Sequence, residues 1–319
     1  MKAAVLDDYQ GAARSMVNWD AISGDVQVHF FEKHLDEAML IIELVDFEII
    51  VAMRERTPFP ARVLSKLPKL RLLVTTGMRN AAIDLVAAAD AGIVVSGTNG
   101  YTWSTAELTW GLILASARNL LTEDASMRQG GWQRTIGTDL AGRTLGLVGL
   151  GHLGARVAHY GRAFDMRVIA WSPNLTEARA AEHGAIFVPR ERIFQEADVI
   201  SIHLVLGSRT RGLITEADLR RMKPTSYLIN TSRGPIVDRS GLIRALREGW
   251  FAGAGIDVYD AEPLPTDDEL RHIPNTILTP HIGYVTSDTY AAFFAGVAEN
   301  IRAFLAGAPI RRLLPSNDH

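Results

Sequence analysis

Residues 144–164 read TLGLVGLGHLGARVAHYGRAF, and the interpretation of this stretch decides the fold. The residues before Gly149 form an apolar β-type run, and those after Gly154 have the spacing of a helix. Between them, Gly149-Leu150-Gly151-His152-Leu153-Gly154 is a G-x-G-x-x-G. In that pattern the first glycine permits a tight turn and the second lets backbone approach a pyrophosphate. The third lets the helix pack on the strand. The helix N-terminus then offers N–H groups and the positive end of its dipole to an anion. A glycine-rich turn without a ligand is the plain alternative, but a strand before and a helix after favour dinucleotide binding. Gly149, Gly151, His152, Leu153 and Gly154 are the candidate contacts.

The same alternation extends outward. Earlier apolar runs are AAVL, VQVHFF, FEIIVAM, LRLLVTT and GIVVSG; later ones are MRVIAWS, ADVISIHL, SYLINTS and GAGIDVY. Strands alternating with helix-length segments build parallel sheets covered on both faces. The pattern occurs twice, so the expected fold is α/β, two doubly wound Rossmann-like domains with a cleft between them. One long helix is expected to separate them. Ser104 and Glu107 form an S-x-x-E capping box, Leu108, Leu112, Ala115 and Leu120 follow at helical spacing, and Gly130-Gly131 stops the run. A last helix over roughly Ser287 to Leu305 puts Phe293, Val297, Ile301 and Phe304 on one face. That face needs a partner, and the helix is assigned back to the first unit. The expected domains are a discontinuous substrate (catalytic) domain, residues 1–99 plus 286–319, and a dinucleotide-binding domain, residues 100–285.

Composition bounds the function. The chain has 319 residues, enough for about two domains. Lys plus Arg number 33 against 36 Asp plus Glu, a net charge of −3, which argues against a whole-chain grip on nucleic acid. There is no cysteine, so disulfides, thiolate metal sites and cysteine nucleophiles are excluded. His29, His34, His159, His183, His272 and His319 show no metal-ligand spacing. Asp7 and Asp8 interrupt the apolar start, so no signal core forms, and Glu43, Asp46 and Glu48 break the most apolar stretch. No membrane association and a cytoplasmic location are the expectations, with no further regulatory domain after the last helix.

An acid about 20 residues beyond the glycine loop should bind the adenosine ribose. Ser172, followed by Pro173 and Asn174, stands there instead. Ser172 does not repel a 2′-phosphate, yet no Arg or Lys adjoins it, so NAD or NADP is left undecided. Three further segments carry polar residues after β-like runs, where open α/β sheets bind ligands. They are INTSRGPIVD with Arg233, GIDVYDAEPLP with Asp257 and Glu262, and LTPHIGY with His281. Together with the glycine loop, in this order, they resemble the D-isomer-specific 2-hydroxyacid dehydrogenase family, of the phosphoglycerate dehydrogenase and hydroxypyruvate–glyoxylate reductase kind. The spacings fit as well, with 29 positions from Arg233 to Glu262 and 19 from Glu262 to His281. The resemblance is strongest from Leu140 to Tyr284.

The resemblance implies an NAD(P)-dependent interconversion of a small D-2-hydroxy acid and its 2-keto acid. His281 is then the acid/base, Glu262 orients it, and Arg233 binds the carboxylate and polarises the carbonyl. These residue types suit that chemistry, since imidazole titrates near neutrality, a carboxylate favours its protonated form, and a guanidinium forks onto a carboxylate. Each residue alone has a structural reading, Arg233 and Glu262 as a buried pair and His281 as a packed histidine. The resemblance also sets Thr231, Ser232 and Arg233 along the cofactor, Asp257 against the nicotinamide amide, and His281 to Tyr284, Gly283 included, near the nicotinamide ring. His203 is expected to pack near the cofactor.

In the first unit, VTTGMRN (residues 74–80) resembles a loop whose backbone N–H groups hold the substrate carboxylate. Thr76, Gly77, Arg79 and Arg54 are therefore the substrate candidates. Arg79 replaces a usual acid and would favour a larger or doubly charged substrate; a surface arginine is the alternative. Residues 127–139, MRQGGWQRTIGTD, resemble a dimer arm, with Trp132 either in an interface or folded onto its own domain. A homodimer is expected. Hydroxypyruvate, glyoxylate and 3-phosphoglycerate are the first substrates to consider. The alternative is a cofactor-sensing, corepressor-like interaction protein on the same scaffold. An adenosyl-dependent methyltransferase would explain the glycine loop but leave the other three motifs without a use.

Overall fold

The apolar runs become strands of two sheets, and every strand pair among the described residues is parallel. The computed structural model describes residues 1–20, 22 and 26–315; His319 and the last positions of the expected first domain lie outside them. The first sheet contains β1 (Lys2–Val5), β2 (Gln27–Phe30), β3 (Ile49–Ala52), β4 (Leu72–Thr75) and β5 (Val94–Gly97), in the order β2-β1-β3-β4-β5. The second contains β6 (Thr144–Val148), β7 (Arg167–Trp171), β8 (Ile186–Phe187), β9 (Val199–Ile202), β10 (Tyr227–Asn230), β11 (Gly253–Ile256) and β12 (Thr276–Leu278). Its order is β12-β11-β10-β9-β6-β7-β8. Both are doubly wound α/β sheets. The winding reverses between β1 and β3 in one and between β6 and β9 in the other, and a crevice opens at the carboxyl ends of such strands.

β3, β4, β6 and β9 are buried at every position, which is why they read as continuous apolar runs rather than alternating ones. Successive side chains of the second sheet enter opposite layers. Leu145, Leu147, Val199 and Ile229 join one core with Trp110, Ile113 and Val157 from the covering helices. Val148, Ile200, Ile202 and Leu228 join the other, with Ile193, Leu219 and Leu246. The short β8 had no β-branched run long enough to announce it.

The chain divides into two units, Met1–Tyr101 with Val285–His319, and Thr102–Tyr284. In the first, the helix Ser287–Leu305 buries Phe293, Phe294, Val297 and Ile301 and packs on β4, β5 and the helix Ala13–Met16. Thr286 caps it by accepting the Thr289 N–H, and Asn300 donates to the Gly97 carbonyl at 2.7 Å.

The single long helix does not form. Two helices, Trp103–Ala117 and Leu120–Arg128, meet at Asn119, whose φ of +50° ends the first. Asn is among the few side chains that tolerate this left-handed conformation. The capping box is also absent: Thr102 is the N-cap and makes no side-chain cap bond. Ala106, Trp110, Ile113 and Ala117 set the rotation of the helix on the sheet. Ser104, the second residue of the helix, is buried on the opposite side from these four, away from the cap position.

Candidate active site

The glycine loop leaves β6 at the reversal point and enters the helix His152–Ala163, with Gly151 as its N-cap. Gly149 has φ +105°, and a Cβ there would lie 2.5 Å from the His203 carbonyl oxygen; at Gly154 it would lie 2.2 Å from the Gly149 oxygen. Both positions require glycine. A Cβ on Gly151 would meet nothing within 4 Å, so the space beside the helix N-terminus is open. His152 is exposed and Leu153 half-buried. Ser172, half-buried, directly follows β7, and no acid stands beside it.

His203 follows β9 and packs behind the loop, 2.9 Å from the Ser201 hydroxyl through Nε2. Its Nδ1 is buried with no partner. Burial alone holds the imidazole neutral, with its pKa lowered to about 3.

The other candidates stand at the carboxyl ends of β10, β11 and β12, which are neighbours in the sheet. After β10, Asn230 shapes the turn by accepting the Ser232 N–H at 3.0 Å and donating to the Arg233 carbonyl at 3.1 Å. The Thr231 hydroxyl lies 2.8 Å from that of Thr109, and the Ser232 hydroxyl donates to the Leu204 carbonyl. Arg233 is half-buried and donates to the Ser232 carbonyl at 2.7 Å. After β11, Asp257 is fully buried. Its carboxylate accepts from the Thr279 hydroxyl at 2.6 Å, the Ile282 N–H at 2.8 Å and the Gly283 N–H at 2.9 Å. Burial pushes its pKa up, and those three donors with nearby His281 offset part of the rise.

Glu262 and His281 meet. One carboxylate oxygen accepts the Tyr259 N–H at 2.9 Å, and the other lies 2.5 Å from His281 Nδ1. Nε2 of His281 is therefore the ring nitrogen free to face a reactant. The ring of Tyr284 stands edge-on to the imidazole, 5.5 Å between centroids. Among the described residues, no group of three or more acids and histidines is arranged to hold a metal ion, and no helix is long and apolar enough to cross a membrane.

The substrate candidates lie at the ends of β3 and β4 in the first unit. Here the expectation of open backbone donors at Thr76 and Gly77 needs correction. The buried Thr76 N–H donates to the Ala52 carbonyl, and the Gly77 N–H donates to the Thr98 hydroxyl at 2.9 Å. The loop closes on itself because Thr98, beyond β5, reaches across, a contact no local pattern announced. Arg54, at φ +53°, donates through its backbone to the Thr76 hydroxyl and through its guanidinium to the Thr76 carbonyl. Arg79 is exposed and makes no ion pair with any described residue. In the arm after Arg128, Trp132 is 69% and Ile136 96% exposed, so Trp132 does not fold onto its own unit.

A model of the D-isomer specific 2-hydroxyacid dehydrogenase NAD-binding domain matches residues 110–283. The chain belongs to the D-isomer specific 2-hydroxyacid dehydrogenase family. It is 39% identical over 276 residues to a glyoxylate reductase of Korarchaeum cryptofilum, covering 84% of this chain and 83% of the relative. A glyoxylate reductase of Aeropyrum pernix is 41% identical over 255 residues, 77% of this chain and 76% of its own. Among solved structures, a putative D-3-phosphoglycerate dehydrogenase oxidoreductase from Ralstonia solanacearum superposes with a TM-score of 0.93 at 37% identity, covering 98% of this chain and 97% of that one. The protein is an NAD(P)-dependent 2-hydroxyacid dehydrogenase. The open space at Gly151, beside a helix N-terminus, fits a nicotinamide dinucleotide.

Because His203 takes up a proton more readily unfolded than folded, stability is lost as pH falls below the ordinary histidine value of 6.5. Chemical denaturation should show the wild type losing roughly 1–2 kcal/mol between about pH 7 and about pH 5 through this group. His203→Gln should flatten that loss. Equal slopes in the two proteins would remove His203 as its source.

Proposed function

We propose that the protein reduces a short 2-keto acid, with glyoxylate and hydroxypyruvate as the first candidates; the larger alternative is 3-phosphoglycerate, a 2-hydroxy acid that would be oxidised in the reverse direction. The observation that carries this reading is the 2.5 Å approach of His281 Nδ1 to Glu262, which holds the imidazole with Nε2 outward. The glyoxylate reductases among the relatives favour the smaller acids.

When bound, a reduced nicotinamide would supply the hydride for the carbonyl carbon. His281 delivers a proton from Nε2 to the carbonyl oxygen, which becomes the hydroxyl. Glu262 holds the imidazole by its Nδ1 and keeps its plane, and Arg233 forks onto the carboxylate and draws electron density from the carbonyl. In the reverse direction neutral His281 accepts the hydroxyl proton. Gly149, Gly151, His152, Leu153 and Gly154 would hold the pyrophosphate, with Thr231, Ser232, Asp257 and Gly283 along the nicotinamide side. In this reading the second unit is the dinucleotide-binding domain and the first the substrate domain. Arg54 and Arg79 are the cations that meet larger acids. Ser172 leaves the ribose end without a negative charge, so both NADH and NADPH enter. A corepressor-like role has no observation in its favour. The exposed Trp132 and Ile136 support a homodimer in which the arm of one copy covers a second.

Reduced-cofactor oxidation with a panel of 2-keto acids tests the activity. His281→Ala should cut turnover by roughly 10²–10⁴-fold while the cofactor still binds; near-normal turnover would remove His281 as proton donor. Ser172→Asp should raise the preference for NADH by repelling a 2′-phosphate, and an unchanged NADH to NADPH ratio would exclude Ser172 from cofactor choice. In sedimentation, Trp132→Asp should move the wild-type dimer toward monomer; a monomeric wild type would end the dimer reading.

A further inference from the structure

His281 holds a conformation that its own backbone disfavours. Its φ is +52°, a left-handed value that residues with a Cβ rarely adopt and that persists only where the surroundings impose it. Glu262 touches only the ring. The backbone on both sides of His281 is held by something else.

The His281 N–H donates to the Thr279 carbonyl at 3.0 Å, and the segment around both is tied to one buried carboxylate. Asp257 stands at the end of β11, fully buried, its own N–H donating to the Asn230 carbonyl at 2.9 Å. Of its two oxygens, Oδ1 takes the Thr279 hydroxyl, two residues before His281, and the Ile282 N–H, one residue after. Oδ2 takes the Gly283 N–H. Thr279 is further fixed by its N–H on the Ile256 carbonyl at 2.9 Å and by the Tyr259 hydroxyl on its own carbonyl at 2.9 Å. The fit at Gly283 is close, since a Cβ there would lie 3.0 Å from the Thr105 methyl and 3.2 Å from Asp257 Oδ2. All three donors to the carboxylate come from the segment carrying His281, and they straddle it.

We infer that Asp257 is a positioning residue, a clamp across residues 279–283 that sets the left-handed turn at His281 and so aims its imidazole at Glu262. The inference rests on the reading of His281 as the proton carrier, and it gives Asp257 a role in addition to any contact with the nicotinamide amide. It also assigns a part to Thr279, whose hydroxyl is one of the three ties and lies outside the proton path.

Thr279→Val removes that hydroxyl at nearly constant shape, and Thr279→Ser restores it. Three readouts are compared in the folded variants: kcat against the dissociation constant for NADH, the pH profile of keto-acid reduction, and the imidazole N–H resonance of His281 in the cofactor-free protein. Thr279→Val should lower kcat by about 10-fold to about 10²-fold, the size of a misplaced catalytic group, with NADH affinity within about twofold. Its pH profile should differ from the wild type's, because the contact between His281 Nδ1 and Glu262 is broken. The Nδ1–H resonance should lose its hydrogen-bonded shift, and Thr279→Ser should behave as wild type in all three. Should Thr279→Val fail to fold, Gly283→Ala, which presses on Asp257 from the other side, is read by the same resonance. A wild-type resonance and pH profile in whichever variant folds overturns the clamp. If His281→Ala, measured alongside, keeps its turnover, the proton-donor reading fails instead, while the resonance still reports on the clamp.

Discussion

Parallel pairing of β6 through β12 is the constraint on which the rest of this molecule depends. When all strands point one way, their carboxyl ends lie along one edge, and every loop leaving that edge is brought near its neighbours without further design. The glycine loop leaves β6, Ser172 leaves β7, His203 leaves β9, Arg233 leaves β10, Asp257 and Glu262 leave β11, and His281 leaves β12. Segments more than a hundred residues apart in the chain thus become adjacent through a backbone ladder whose side chains are almost wholly apolar. The candidate site residues stand one to six positions past a strand end, where backbone groups leave the ladder and become available for turns.

Much of this was legible from residues alone. Fully buried strands such as IIVA and VISI declare themselves by length and branching, and G-x-G-x-x-G between a strand and a helix has few other uses. The closing helix was readable because Phe293, Val297 and Ile301 recur on one face. Illegible features were those set by distant partners. The helix Trp103–Ala117 begins one residue before Ser104, with Thr102 at the cap, which takes Ser104 out of the cap position and cancels a local capping pattern. The Gly77 N–H is taken by Thr98, 21 residues on, so a loop expected to present open donors presents fewer. Likewise, family likeness pointed Asp257 toward a cofactor, and only coordinates reveal three donors from one neighbouring loop around it.

The buried polar groups divide into two kinds. Asp257 is compensated by hydroxyl and backbone donors, whose hydrogen bonds offset part of the cost of burying a carboxylate and order the loop around it. His203 is compensated only in part: it stays neutral, satisfied at one nitrogen and bare at the other, immediately behind the glycine loop. A group of the first kind stiffens its surroundings, whereas one of the second kind leaves a penalty that makes the segment sensitive to acid.

The first unit is built from both ends of the polypeptide, and this has a consequence for biosynthesis. The five strands of its sheet leave the ribosome well before the helix Ser287–Leu305 that covers β4 and β5. Until Phe294, Val297 and Ile301 arrive, one apolar surface of the nascent sheet has no cover, while the contiguous segment Thr102–Tyr284 already contains all of its own core. Maturation of the chain is therefore ordered from the middle outward, and the earliest residues made are among the last to be sealed.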